Sequence, residues 1–382
     1  MSSPPSPITL SPQELDLFRN SPDVKYLPAG EVLITEGEPG REMYILLDGV
    51  IDISAKGRPL DRLYAGTVLG EMAMIDDQPR SATATTAIDC CVLAIDRTRF
   101  RELVQQYPAL ATRVMSIMSH RLRRLVDEEV KRQRLEEELA VGRRIQLSLV
   151  PSTCPVISGY ECVAYYSAAR QVGGDLYDFI TNPERPDELT IAIADVTGKG
   201  IPAALYMAVS RTIIRAEAGQ DISPAEALQR VNRFIVQDRQ SPLFLSAFLT
   251  RIHTPSGDFT CANAGHNAPF WYHAATGRAT ELSVRGLLLG AFGELRPQQE
   301  QYSLAPGDCL ILFTDGITEA RNAAGDFFDE ERLQAIIESS HWSTAEELLD
   351  AIVNSVAAFA GDEPPADDMT LIVLRRRPLD SD

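Results

Sequence analysis

Five acidic positions in the C-terminal half of the chain carry the strongest chemical signal. They are Asp175 in Val172-Gly173-Gly174-Asp175, Asp195 in Ala194-Asp195-Val196-Thr197-Gly198, Asp315 in Phe313-Thr314-Asp315-Gly316, and the pair Asp367-Asp368. Most of them end an apolar run or sit in a glycine turn, where a strand delivers a side chain to one end of a sheet. Carboxylates gathered there repel one another and lose water, and hard divalent ions with a preference for oxygen remove that cost. Mg²⁺ or Mn²⁺ held between carboxylates can also activate a water, so the pattern points to a two-metal hydrolase.

The elements that must deliver these groups follow from the apolar runs. Segments 161–167, 189–194, 243–252, 258–262, 308–313 and 369–375 read as strands, and 201–217, 224–237, 330–338 and 344–359 as helices, with Ser223 capping the second helix. Antiparallel strands mixed with helix pairs predict a layered α/β sandwich. No glycine-rich phosphate loop follows a first strand, which argues against a Rossmann fold.

A second constellation lies near the N-terminus. Short apolar segments between residues 24 and 96 are separated by Gly30, Gly37, Gly40, Gly49, Gly57 and Gly66, the pattern of a β jelly roll or small barrel, with flanking helices. Within it stands Gly70-Glu71-Met72-Ala73, followed by Pro79-Arg80-Ser81-Ala82. Gly70 permits close backbone approach, Glu71 can accept hydrogen bonds from hydroxyls, Arg80 offers a rigid fork to a phosphate, and Ser81 adds a donor. Glu71 and Arg80 could instead simply pair across the turn.

These residues resemble the phosphate-binding cassette of the cyclic nucleotide-binding domain family. The resemblance implies that Glu71 binds the ribose 2′-hydroxyl and Arg80 the cyclic phosphate, with Gly70 and Ser81 completing the site. It leaves cAMP and cGMP both open, with cAMP slightly favoured.

Five ordered motifs in the C-terminal half carry a second resemblance. They are Gly173-Gly174-Asp175-x-x-Asp178, Asp195-x-x-Gly198-x-Gly200, Asn263-Ala264-Gly265-His266-Asn267, Thr314-Asp315-Gly316-x-x-Glu319 and Asp367-Asp368-Met369-Thr370. Together they resemble the metal-dependent protein phosphatases, in particular the bacterial serine phosphatases of the stress-response and sporulation type. The segment Ile145-Gln146-x-Ser148-Leu149-x-Pro151 is similar to the entry into that domain. The resemblance implies two Mn²⁺ or Mg²⁺ ions held by Asp175, Asp195, Asp315 and Asp367, with the Val196 carbonyl contributing, Asp368 less firmly, and Asp178 ordering its loop. It also implies a phosphoprotein substrate, in this subgroup a small anti-sigma-factor antagonist. One departure stands out: the familiar eukaryotic members carry Asp-Gly-His where this chain has Asp195-Val196-Thr197, so a histidine used there as general acid is missing. That departure keeps an alternative open, a nucleotide-sensing scaffold with a weak or inactive phosphatase domain. His266 and Lys199 read as structural: a neutral imidazole hydrogen-bonded in its turn, and a residue in a loop shaped by Gly198 and Gly200.

Between the two modules, residues 100–149 are helical in character, with Pro108 separating a short helix from a longer one. Met118, Leu122, Leu125, Leu135 and Leu139 recur at helical spacing, and the stripe weakens at Glu129 and Arg132. The expectation is a connector with coiled-coil character that makes a homodimer. The domain reading is therefore a tail and short helix over 1–20, a cyclic nucleotide-binding domain over 21–118, a helical connector over 119–150, and a metal-dependent phosphatase domain over 151–377.

Composition narrows the partners. A formal net charge of −18 argues against nucleic acid or an anionic membrane surface. The six cysteines form no Cys-x-x-Cys pair and read as reduced thiols. No apolar run is long enough to span a bilayer and no leader segment is evident, which together predict a cytoplasmic protein.

Overall fold

The computed structural model describes all residues except 1–8, 17, 20, 75–77, 107, 238–242, 340 and 379–382. It divides into two compact units, residues 1–134 and 135–382.

The first unit begins with α1 (Pro12–Asp16) and continues through β1 (Val24–Leu27), β2 (Val32–Ile34), β3 (Glu42–Asp48), β4 (Val50–Ala55), β5 (Arg58–Tyr64) and β6 (Val68–Leu69). A 3₁₀ turn (Glu71–Met74), β7 (Thr83–Thr86), β8 (Cys90–Asp96) and α2 (Arg97–Gln106) follow. The strands form two four-stranded antiparallel sheets, ordered β1-β8-β3-β6 and β2-β7-β4-β5, the jelly-roll arrangement expected. The continuous apolar run in β3 has a packing reason. Met43, Ile45 and Leu47 face a core with Leu15, Phe18 and Leu103, whereas Tyr44 and Leu46 face a second core with Ile34 and Ile51. Successive side chains point to opposite faces, and both faces are covered.

Helix α3 (Pro108–Leu149) starts at the expected proline and crosses the boundary between the units as one helix. Met118, Leu122 and Leu125, expected in its apolar stripe, have side chains outside the described residues. Of the remaining stripe, Leu135 is exposed and Leu139 half-buried.

The second unit contains β9 (Tyr160–Ser167), β10 (Leu176–Asn182), β11 (Arg185–Val196), α4 (Ile201–Ala218), α5 (Pro224–Gln237), β12 (Leu245–His253) and β13 (Asp258–Ala264). It continues through β14 (Phe270–His273), β15 (Arg278–Glu281), β16 (Gln299–Ser303), β17 (Cys309–Phe313), α6 (Asp315–Thr318), α7 (Asp329–Ile337), α8 (Ala345–Ala360) and β18 (Met369–Arg376). Two five-stranded antiparallel sheets, β10-β11-β12-β13-β16 and β15-β14-β17-β18-β9, stack as a sandwich. Alternation along β17 and β18 shows how. Leu310, Leu312, Ile372 and Leu374 join the core shared with the other sheet, α4 and α5, whereas Cys309, Ile311, Phe313, Leu371 and Val373 join the core under α7 and α8. The result is the expected layered sandwich, with a helix pair outside each sheet. A capping box fixes the start of α8: the Thr344 side chain accepts from the Glu347 backbone N–H, and the Glu347 carboxylate accepts from the Thr344 backbone N–H.

Candidate metal centre and nucleotide pocket

The five acidic positions arrive from both sheets. Asp175 immediately precedes β10, Asp195 lies one residue from the end of β11, and Val196 is that strand's last residue. Asp315 opens α6, separated from the end of β17 by Thr314 alone, and Asp367 and Asp368 immediately precede β18. Sheet stacking therefore brings strand ends distant in sequence to one place.

Their electrostatics record the proximity. Asp175, 1% exposed, has its pKa raised well above the usual carboxylate range, first by burial and then by the charge of Asp195. Asp195 is pushed up to about 7 by burial, followed by the charges of Asp315 and others, and Asp315 to about 6 by burial, Glu319 and Asp367. Asp368 is also raised, chiefly by burial. Asp175 is steered by two hydroxyls: Thr314 and Thr370 each donate to its Oδ2 at 2.6 Å. The Lys199 ammonium lies 2.6 Å from Asp367 Oδ2 and donates to the Ala366 carbonyl at 2.6 Å. Lys199, Thr314 and Thr370 are therefore part of this site: Lys199 was read as a loop residue only, and the two threonines stood in the acidic motifs with no role assigned. Their signal was adjacency to the acidic motifs.

Asp368 has a different set of contacts from the other four. Its carboxylate accepts from the backbone N–H of Ala169 at 2.8 Å and of Gly174 at 2.5 Å. It thus ties the β18 end to the Gly173–Gly174 turn that carries Asp175. Asp178 is buried at 1% exposure and faces a helix, pairing with Arg211 at 3.0 Å and Arg215 at 2.6 Å on α4. Gln146, near the end of α3, binds the same glycine turn from outside: Gly173 N–H donates to its Oε1 at 3.0 Å, and its Nε2 donates to the Gly173 carbonyl.

His266 is buried in its turn, where its backbone N–H donates to Asn263 Oδ1 at 2.8 Å and its Nδ1 lies 2.7 Å from Ser246 Oγ. Burial pushes its pKa down to about 4 against a smaller opposing pull from the Phe313 backbone, so the ring is neutral near pH 7. This is the structural role its motif suggested.

The donor set fits hard divalent ions. The groups facing the shared space are carboxylate oxygens crowded enough to hold protons, and Lys199 on Asp367 is the cation paired with them. Among the described residues, no three His, Cys, Asp or Glu side chains already stand as a closed ligand cage.

In the first unit, the cassette residues also converge. Gly70 adopts φ +72° and leads into the turn opened by the buried Glu71. The Arg80 guanidinium donates to the carbonyls of Gly70 at 3.0 Å and Glu42 at 2.6 Å. A Cβ at Gly40 would lie 2.1 Å from Arg80 Nε, so the missing side chain makes room for the guanidinium. Ser81 is exposed next to it. Residues 75–77, between the glutamate and the arginine, lie outside the described residues.

Comparison with known proteins matches each half of the chain to a family. Residues 185–377 match the family Stage II sporulation protein E (SpoIIE), and residues 24–107 match the cyclic nucleotide-binding domain. The chain is 32% identical over 263 residues to Phosphoserine phosphatase RsbU of Bacillus subtilis (strain 168), covering 69% of this chain and 76% of that protein. It is 28% identical over 119 residues to the Cyclic AMP receptor protein of Thermus thermophilus, covering 30% of this chain and 55% of that protein. Its fold resembles the SiaA-PP2C domain of Pseudomonas aeruginosa, with a TM-score of 0.56 at 21% identity, covering 64% of this chain and 98% of that one. The chain belongs to the SpoIIE family: it joins an N-terminal cyclic nucleotide-binding domain to a metal-dependent serine/threonine protein phosphatase domain.

Proposed function

We propose that the chain removes phosphate from serine or threonine of a small signalling protein, an anti-sigma-factor antagonist, under the control of a cyclic nucleotide. The observation that carries the catalytic part is the meeting of Asp175, Asp195, Asp315 and Asp367 in one acidic space between strand ends. Asp175, Asp195, Asp315 and Asp367 are the residues that would hold Mn²⁺ or Mg²⁺, with the Val196 carbonyl beside them. When bound, two such ions supply Lewis acidity toward a phosphoryl oxygen and an activated water. The residues around them set the geometry. Thr314 and Thr370 orient Asp175, and Asp368 holds the Gly173–Gly174 turn. Lys199 neutralises part of the charge on Asp367.

The regulatory part is supported by Arg80, held by backbone carbonyls with Gly70 and Glu71 alongside. Cyclic AMP is favoured over cGMP as its ligand, and α3 is the segment through which two chains would pair as a homodimer.

The test is phosphate release from a phosphoserine protein. Chelation should abolish it, added Mn²⁺ should restore it, and Asp195→Ala should lower turnover on the order of a hundredfold or more. Wild-type turnover in that variant would overturn the assignment. No Mn²⁺ binding at millimolar metal would favour a nucleotide-sensing scaffold instead.

A further inference from the structure

The Gly173–Gly174 turn is packed too closely for either residue to carry a side chain. A Cβ at Gly174 would lie 2.9 Å from the Val196 carbonyl oxygen and 3.5 Å from Asp195 Oδ1. The turn that leads into Asp175 therefore lies against two other groups of the candidate metal centre, and its position bears on all three. On its other side, a Cβ at Gly173 would fall on the Asp368 carboxylate and 2.6 Å from the hydroxyl oxygen of Tyr166. Two oxygens that flank one point so closely are no more than about 5 Å apart. Asp368 is bound to this turn, because Gly174 N–H donates to its Oδ2. Tyr166 is not: its Oη is buried and has no hydrogen-bond partner among the described residues. The ring comes from β9, where Tyr166 stands opposite Thr370 of β18. Directly paired residues share a sheet face, and on that face Thr370 donates to Asp175. The register thus delivers the phenol to the acidic centre, not to the far side of the sheet.

A buried hydroxyl without a partner has lost its water and regained no bond, which costs stability. A bound state that pairs it recovers that loss. The neighbouring acceptor has capacity for it: a carboxylate offers about four lone-pair sites, and the Asp368 side chain takes only backbone donors, among them Ala169 and Gly174. We propose that Tyr166 is a positioning residue of the metal centre: with a divalent ion bound, its hydroxyl donates to the Asp368 carboxylate and fixes the Gly173–Gly174 turn that carries Asp175. This inference rests on the metal-centre reading above. A movement of about 2 Å or less brings the two oxygens to hydrogen-bond length. An ion that draws Asp175 and Asp195 together acts on the turn between them, since Gly174 lies against Asp195 and next to Asp175. Donors behind the ligands of a metal hold them in place for the ion, and loss of one lowers metal affinity by about ten- to a hundredfold. Tyr166 acts through Asp368 and the turn, without touching substrate.

The experiment uses the full chain and Mn²⁺ alone, with affinity measured by calorimetry and stability by urea unfolding in chelator. Tyr166→Phe removes the hydroxyl and keeps the ring. Because the hydroxyl makes no hydrogen bond in the fold, its removal should leave the urea midpoint in chelator at the wild-type value or above it. The Mn²⁺ dissociation constant should rise about tenfold. Tyr165→Phe is the control: that neighbour packs on the core under α7 and α8 and should bind Mn²⁺ as the wild type does. Wild-type Mn²⁺ affinity in Tyr166→Phe would overturn the proposal while leaving the metal centre standing. A lower urea midpoint in chelator, with an affinity loss matched by Tyr165→Phe, would assign Tyr166 to packing and overturn it as well. No Mn²⁺ binding by the wild-type chain would overturn the metal-centre reading itself, and the proposal with it. Should Tyr166→Phe fail to fold, a fluorotyrosine placed at position 166 of the otherwise native chain decides. Its fluorine resonance should shift on saturation with Mg²⁺, and an unmoved resonance would overturn the proposal.

Discussion

Asp195 and His266 show how opposite the demands on single residues are within one site. Asp195 is held in a field that favours its protonated form, with burial leading and the neighbouring carboxylates adding to it. His266 is held in surroundings that favour its neutral form, because burial penalises the imidazolium. The histidine gives a clean test. Its pKa in the fold, about 4, lies below the ordinary imidazole value of 6.5 that it regains on unfolding. The unfolded chain thus binds more protons between those values, so the contribution is fully present above pH 6.5 and is lost as pH falls toward 4. Between pH 7 and pH 5 this amounts to about 2 kcal/mol. The crowded carboxylates act with the opposite sign, because protonation relieves them, so the reading must be differential. We expect denaturant unfolding of the second unit to weaken more for the wild type than for His266→Gln over that interval. Equal slopes would show that the ring is not a buried neutral group. The motif Asn263-Ala264-Gly265-His266-Asn267 made a structural histidine legible, since Asn263 three residues upstream could close the turn, as it does. The partner Ser246 was not legible. It sits opposite Asp195 in the β11–β12 pairing, a relation set by register alone.

At the scale of elements, the strands missed in the sequence are instructive. Strand β10 follows Asp175 directly, but its apolar run is interrupted by Asp178, which argues against a buried strand. The structure resolves the conflict by placing Arg211 and Arg215 of α4 over that carboxylate. Both arginines belong to a helix that was read correctly, four residues apart on one face. Their partner could only be found once helix and sheet were stacked. Strands β14, β15 and β16 are short or polar: β16 is Gln299–Ser303, largely exposed at the sheet edge, so no alternation betrays it. By contrast β11, β17 and β18 each hold a stretch buried on both faces that reads as an apolar run. The Asp178 clamp should matter more than a surface ion pair. Asp178→Ala leaves Arg211, whose side chain is 17% exposed, without its carboxylate. We expect a loss of about 3–5 kcal/mol in the unfolding of the second unit. Arg215→Ala removes a side chain that is 47% exposed and should cost at most about 1 kcal/mol. Urea titrations of the two variants give the comparison. Similar losses in both would mean that Arg215, not Arg211, carries the clamp.

At the scale of the whole molecule the question is how one module could inform the other. The bounds of α3 were legible, since Pro108 marked its start and Pro151 its exit, whereas the division of the chain at residues 134 and 135, within the expected connector, was not. Nor was the connection from that helix to the chemistry. It runs through Gln146, whose side chain both donates to and accepts from the backbone of Gly173, two residues before Asp175. A change in the last turns of α3 would therefore act on the turn that carries a proposed metal ligand, without any contact to the substrate. Spatial connection alone is not coupling. Nucleotide must favour one arrangement of this end of the helix over another for the signal to exist. A tenfold effect on the metal-loaded state corresponds to about 1.4 kcal/mol, within reach of two hydrogen bonds to a buried turn. The consequences separate two residues' roles. In the intact chain saturating nucleotide should change phosphatase turnover by about tenfold, with activation expected. Arg80→Ala should weaken nucleotide binding and remove the response together. Gln146→Ala should keep nucleotide affinity, measured by calorimetry, while losing the response, because the sensor is whole and its link is cut. Linkage adds a check that needs no turnover: if nucleotide tightens Mn²⁺ binding by some factor, Mn²⁺ must tighten nucleotide binding by the same factor, and that factor should fall to one in Gln146→Ala. A Gln146→Ala chain that still responds fully to nucleotide would move the path of coupling elsewhere, whatever happens at Arg80.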